Sequence, residues 1–273
     1  MIKILKYYFF IFLFFSCNSE IKKDIRYKAF CYSNEGKYED ALKLVDQLII
    51  DYPKEHDFYF LRASIFYKKT DYLNAEKNIE NAITINSEIP AYYFFYGEVL
   101  IRNNNINGAM MAFKKCLELD TLYADAYKEY AGLLNLTDSY DSAYIMINRA
   151  ISINSNSAEN YSRRGIIEES LKNYKKAIID YSLSIKLGNK TYQVYQNRAA
   201  SYALLNEYEF AINDLNKAIE IDSTIGILYC NRGYMNYHIN NIENACMDWQ
   251  KGTDLIDADS KVALEKYCKG KSI

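Results

Sequence analysis

Two histidines in 273 residues leave little for metal chemistry, and His56 and His238 stand far apart in no ligand spacing, so both read as surface or packing residues. No Cys-x-x-Cys pair occurs among the six cysteines, which argues against zinc and thioredoxin-type redox work. Gly188-Asn189-Lys190-Thr191 imitates the end of a phosphate loop, but the earlier glycine would fall at Leu183 and is missing. Glu168 and Glu169 are neighbours, so on a helix they point about 100° apart and read as solvated side chains. An excess of basic charge is absent too: 33 Lys and Arg face 35 Asp and Glu, which gives no electrostatic pull toward nucleic acid or anionic headgroups. No cofactor, metal or small-molecule substrate is expected.

What is present is repetition. Stepping by 34 from Ala211 in both directions meets Ala41, Ala75, Ala109, Ala143, Ala177 and Ala245, with no insertion or deletion. With these alanines at place 20, seven repeats occupy residues 22–55, 56–89, 90–123, 124–157, 158–191, 192–225 and 226–259. Place 8 is always Ala or Gly, from Ala29 to Gly233; place 4 is Tyr in six repeats and Ile25 in the first. Place 17 is Tyr in five repeats and Ile106 or Ile242 in the others. Places 4, 8 and 11 share one face of a first helix, and 17, 20, 24, 27 and 28 one face of a second. Small residues at 8 and 20 let the two backbones approach, while large ones beside them fill the remaining space. Place 15 holds Gly36, Thr70, Asn104, Asp138, Lys172, Asn206 and Asn240, mostly turn residues. Each repeat is thus a helical hairpin that buries its apolar face only against its neighbours.

This pattern resembles the tetratricopeptide repeat family over residues 22–259, departing from it at place 32, where only Pro53 is proline. The resemblance implies an all-α fold, a right-handed α-solenoid of seven helix-turn-helix units. Ser260 to Cys268 looks like an unpaired first helix, so residues 260–273 read as a capping helix and tail, with Val262, Ala263 and Tyr267 over the last repeat.

The start of the chain reads differently. Lys3 and Lys6 precede an apolar run from Tyr7 to Phe15, then Ser16 and Cys17. That run is too short to span a bilayer and reads as a secretory signal, residues 1–16. Its end resembles a bacterial lipoprotein cleavage site, with Phe14 where leucine is usual and Cys17 as the lipid-bearing residue. Residues 17–21 then form a tether of which Asn18 to Ile21 reach roughly 13 Å when extended. Removal of the signal leaves 31 basic against 35 acidic residues, so a lipid would have to supply membrane attachment. The expected location is the bacterial envelope, at the outer membrane or periplasmic face.

Signal, tether, repeats and cap together use the whole chain, with no space for a catalytic domain. The expected function is a non-catalytic protein-interaction scaffold that binds a peptide or partner protein on its concave face; a structural subunit of an outer-membrane or pilus assembly machine is the alternative. In the family, places 2, 5, 9, 12 and 13 line the groove. Here those places hold Arg26, Phe30, Phe60, Tyr67, Lys68, Phe94 and Arg102 in repeats one to three; Asp125, Lys128, Glu159 and Glu169 in four and five; and Tyr234, Tyr237 and His238 in seven. Partner-binding residues are taken to be Phe60, Tyr67, Phe94, Arg102, Lys128 and Tyr234, with Phe60, Tyr67 and Phe94 as partly exposed anchors. A chaperone tail is not expected, since Lys128 lacks the asparagine of a carboxylate clamp: Gly132 stands there.

Two pairings are also expected. Arg164, Arg198 and Arg232 at place 7 accompany Asp180, Asp214 and Asp248 at place 23, which suggests an ion pair linking the two helices of each of repeats five to seven, or linking adjacent repeats. ACMDWQKGTDL and ALEKYC resemble a C-terminal motif of envelope proteins of this family, which implies a disulfide between Cys246 and Cys268. Cys31, Cys116 and Cys230 then read as buried apolar residues.

Overall fold

The computed structural model describes residues 20–268, with side chains from Asp24 onward. Among them are fifteen α-helices and no strand. The chain divides into two compact units, 1–120 and 121–273. The N-terminal unit holds α1 (Glu20–Asn34), α2 (Tyr38–Asp51), α3 (His56–Lys68), α4 (Tyr72–Ile85), α5 (Pro90–Arg102) and α6 (Ile106–Leu119). The C-terminal unit holds α7 (Ala124–Leu136), α8 (Tyr140–Ile153), α9 (Ala158–Ser170), α10 (Tyr174–Lys186), α11 (Tyr192–Leu204), α12 (Tyr208–Ile221), α13 (Gly226–His238), α14 (Ile242–Asp254) and α15 (Ala258–Tyr267). Odd-numbered helices up to α13 are first helices of repeats, and even-numbered ones are second helices. The signal and Cys17 lie outside the described residues. Of the segment read as a tether, Glu20 and Ile21 belong to α1, because the helix runs on two residues before the repeat begins.

Each hairpin turns at place 15. All seven residues there are left-handed, with φ from 58° to 78°. This lets the N–H of place 16 reach back to the carbonyl of place 11, as in Lys37 to Tyr32 (2.9 Å) and Asn105 to Leu100 (2.8 Å), and closes the first helix. Gly36 adopts the conformation without cost and Asn104, Asn206 and Asn240 at little cost, whereas Thr70 and Lys172 carry strain there.

The hairpin core follows one rule across all copies. The place-20 alanines are fully buried. Place 8 is alanine where place 24 is aliphatic (Val45, Ile79, Ile147, Leu215) and glycine where it is aromatic (Phe113, Tyr181, Trp249). A methyl group on Gly97 would meet Phe113 at 2.6 Å, on Gly165 Tyr181 at 2.6 Å, and on Gly233 Trp249 at 2.5 Å. The ring occupies the volume that Cβ would need. Gly97→Ala should therefore cost about 1–3 kcal/mol through overpacking, more than the gain of about 1 kcal/mol in helix propensity. Adding Phe113→Ile, the pairing of repeats two and four, should restore most of the loss. Urea denaturation of both variants decides it; a neutral Gly97→Ala would refute the packing rule.

Place 7 ties repeats together. Arg164, Arg198 and Arg232 each grip the aspartate at place 23 of their own repeat, with Nη2 to Oδ1 distances of 2.6, 2.6 and 2.5 Å. Their Nη1 groups reach place 25 of the preceding repeat: Asn148 (2.8 Å), Ser182 (2.8 Å) and Asn216 (2.6 Å). Each guanidinium also lies over the place-4 tyrosine, 5.5 to 5.9 Å from its centroid.

At the C-terminal end, α15 packs through Ala263 and the buried Ser260, and Tyr267 stacks on Trp249 at 5.5 Å. Val262, expected to cover the last repeat, instead faces solvent at 60% exposure, because Ala263 and Tyr267 define the docked face. Cys246 and Cys268 are joined as a disulfide with Cα atoms 5.8 Å apart.

Candidate partner-binding surface

In the N-terminal unit the first helices α1, α3 and α5 present the residues expected to bind a partner. Phe60 does not belong to that surface. It is 4% exposed, stacked on Tyr92 (4.9 Å) and edge-on to Phe95 (5.3 Å). The cause lies in the next repeat, whose place 3 is an aromatic that fills the space a groove residue would face. Tyr92 is itself fixed there, its hydroxyl donating to Asp57 Oδ1 (2.7 Å) and lying 2.6 Å from His56 Nδ1.

The remaining residues do converge. Tyr67 is half-buried between Tyr72 and Phe95, both at 5.4 Å, and its hydroxyl accepts from Arg102 Nε at 3.2 Å. Burial raises the Tyr67 pKa, opposed by that guanidinium bond. Arg102 is exposed. Lys68 Nζ donates to Asn34 Oδ1 (2.6 Å) and lies 5.5 Å over the Phe30 ring; desolvation lowers its pKa. Phe94 is half-buried, tilted against Phe113 at 5.7 Å. The result is a strip on which two cations, Lys68 and Arg102, sit one repeat apart among aromatic rings, with the Glu98 carboxylate acting on Arg102.

The C-terminal unit differs. Lys128 is not a free cation: its side chain is 13% exposed and lies 3.3 Å from each of Asp125, Glu129 and Glu159. Burial pulls its pKa down, but the three carboxylates outweigh that and the net shift is upward. Tyr234 is half-buried, edge-on to Trp249 at 5.3 Å. His238 is exposed and stacks on Tyr208 at 4.7 Å.

Glu168 and Glu169, read as solvated, are not. Glu168 is 2% exposed and accepts from Asn173 Nδ2 at 2.8 Å. Glu169 is half-buried and accepts from Tyr181 Oη (2.8 Å) and Ser201 Oγ (2.5 Å). Burial raises its pKa, and those two bonds oppose the rise. Helical geometry alone could not show this, since the donors lie in the turn before α10, on α10 and on α11; tyrosine at an otherwise apolar place 24 was the available signal.

Of the free cysteines among the described residues, Cys116 and Cys230 are buried. Burial pushes Cys116 up to about 12 and Cys230 up to about 11. Cys31, expected to be buried, is only half-buried, since α1 has a neighbour on one side alone among the described residues. No group of three or more His, Cys, Asp or Glu among the described residues is placed to hold a metal. No described helix is long and apolar enough to cross a membrane.

Comparison with known proteins agrees with the repeat architecture. The family model of the tetratricopeptide repeat matches residues 56–89, 90–121 and 192–225, so the chain carries such repeats in both units. Human superkiller complex protein 3 is 32% identical over 101 residues, which is 34% of this chain but only 6% of that protein. Among solved structures, a tetratricopeptide repeat protein from Parabacteroides merdae aligns with a TM-score of 0.69 at 15% identity, over 89% of this chain and 97% of that one. YrrB, a tetratricopeptide repeat protein with an unusual peptide-binding site, aligns at 0.57 and 20% identity, over 69% and 97%. At such identities the likeness is one of fold.

Proposed function

We propose that this chain is a non-catalytic protein-binding scaffold, held at the bacterial envelope by a lipid on Cys17, that takes a peptide or partner protein on the first-helix face of its N-terminal unit. The observation that carries this reading is the strip formed by Tyr67, Lys68 and Arg102. Exposed cations set among aromatic rings offer a rigid contact area with a polar rim, which is what partner recognition requires. The peptide-binding site of YrrB, on the same fold, supports it. The lipid rests on the Ser16-Cys17 signal ending, with no charge excess to hold the chain to a membrane otherwise.

Co-purification from detergent-solubilised membranes tests both parts. A Tyr67→Ala, Arg102→Ala double variant should lose the captured partner while circular dichroism shows it still folded. Wild-type capture by that variant would sink the reading. Cys17→Ser should move the protein to the soluble fraction, and continued membrane association would show another anchor. A partner held in fixed stoichiometry through washing would favour the alternative, a structural subunit of an assembly machine.

A further inference from the structure

Repeats five and six break the pattern of the chain at three places, and the three departures meet at one carboxylate. Place 24 is Val45, Ile79, Phe113, Ile147, Leu215 or Trp249 in the other repeats and Tyr181 in repeat five. Place 10 is Cys31, Ile65, Val99, Leu133, Ile167 or Met235 elsewhere and Ser201 in repeat six. Place 12 carries a carboxylate only at Glu169. Tyr181 Oη donates to Glu169 Oε2 at 2.8 Å and Ser201 Oγ donates to Oε1 at 2.5 Å, one donor for each oxygen.

A carboxylate has about four acceptor sites, so roughly two remain unused here. No Lys, Arg or His ion pair reaches Glu169 among the described residues, unlike the buried aspartates at place 23, each paired with an arginine. Taking a carboxylate partly out of water without a counter-ion costs stability that an apolar side chain would not. Six sister repeats manage without one. The two helices offer apolar side chains beside this acid's positions: Ala200 is exposed, Leu204 is 57% exposed three residues beyond Ser201, and Ile166 lies half-buried one turn before Glu169. Such apolar rims pack the methylene stem of lysine or arginine while the charged head reaches the acid.

We propose that Glu169, held by Tyr181 and Ser201 between α9 and α11, is a receptor for a single basic side chain, arginine or lysine, presented by the protein partner. The proposal rests on the reading of the chain as a scaffold. The partly desolvated acid is already oriented, so the incoming cation forms charge-assisted bonds without reorganising the site.

The test is an NMR titration of the full chain with a blocked Ala-Ala-Arg-Ala-Ala peptide and with its citrulline counterpart, which keeps the shape and removes the charge. The arginine peptide should shift the signals of Glu169 and Ser201 saturably, and the citrulline peptide should bind at least about tenfold more weakly. Glu169→Gln, close in shape, should weaken the arginine peptide by a similar factor. A purely structural Glu169 predicts otherwise: Glu169→Gln would leave the titration as in wild type. Since burial raises the Glu169 pKa, its stabilising contribution belongs to pH below the ordinary carboxylate range and is lost as pH rises through the raised value. At neutral pH the charge therefore carries a cost, which Glu169→Gln removes while leaving one of the two donors without its acceptor, so binding and not the melting temperature is the readout. Equal binding of both peptides, no saturable shift up to about 10 mM, or wild-type titration by Glu169→Gln would each overturn the proposal. If the Tyr67–Arg102 variant still loses the partner under those outcomes, the scaffold reading stands and only this receptor falls.

Discussion

Asp214→Ala should destabilise the C-terminal unit by about 3 kcal/mol, several times the 0–1 kcal/mol of an exposed ion pair. Asp214 is 5% exposed, and its two oxygens receive Arg198 Nε at 2.7 Å and Nη2 at 2.6 Å. Burial lowers the Arg198 pKa, but the bond and charge of Asp214 outweigh it and the net shift is upward. The same guanidinium donates Nη1 to Ser182 at 2.8 Å and lies 5.9 Å over the Tyr195 ring and 6.0 Å over Tyr202. Removing the aspartate leaves a confined cation with one neutral acceptor, and that stranded charge rather than the lost contact sets the size of the effect. Replacing both partners, Arg198→Met with Asp214→Leu, should cost clearly less than either single change. Urea unfolding of the three variants gives the comparison; additive single effects would mean that the two groups act independently.

Repeat two writes the same device with the charge moved. Arg62 Nε donates to the neutral Asn78 at place 23 (2.6 Å), while Nη1 meets Asp46 at place 25 of the preceding repeat (2.8 Å). In repeat three the tyrosine at place 7 keeps only the second arm, Tyr96 Oη to Glu80 at 2.8 Å. Place 7 thus looks sixteen residues forward and sixteen back. The forward partner was legible because it lies within the same repeat. The backward one crosses a repeat boundary, where no single-repeat pattern registers it.

The helices were legible for a related reason. A 34-residue period repeated seven times averages out local accidents, so hairpins, turns and small-residue contacts all followed from the pattern. The candidate surface was less so, because binding is decided by what distinguishes one repeat from the next. The repeat pattern puts Phe60 in the groove; Tyr92 and Phe95 bury it. Charge pattern offers Lys128 to a ligand, yet three acids consume it. Tyr67, packed on the same Phe95, stays half-buried, and Arg102 stays exposed.

The other large effect concerns the cap. Opening the Cys246–Cys268 disulfide, by reduction or by Cys268→Ser, should withdraw about 3 kcal/mol from the docking of α15, the chain-entropy value for a loop closed over 22 residues. A ten-residue helix is shorter than the ~12–15 residues at which isolated helices become even marginal, so α15 has little stability except what docking supplies. It docks through Ala263, the buried Ser260, the partly buried Leu264 and the Tyr267 ring, which lies on Trp249 and Tyr237. The repeats before it retain their own hairpin packing and arginine ties, so the loss should stay local. Trp249 is the only tryptophan, fully buried under that ring, and its indole N–H donates to the Cys230 carbonyl at 3.2 Å. Its fluorescence therefore reports undocking directly. Cys268→Ser should show a red-shifted emission at urea concentrations where circular dichroism still registers the remaining helices as folded, while the oxidised protein keeps both signals together. Coincident fluorescence and dichroism transitions at the oxidised midpoint in Cys268→Ser would show that α15 is held by packing alone.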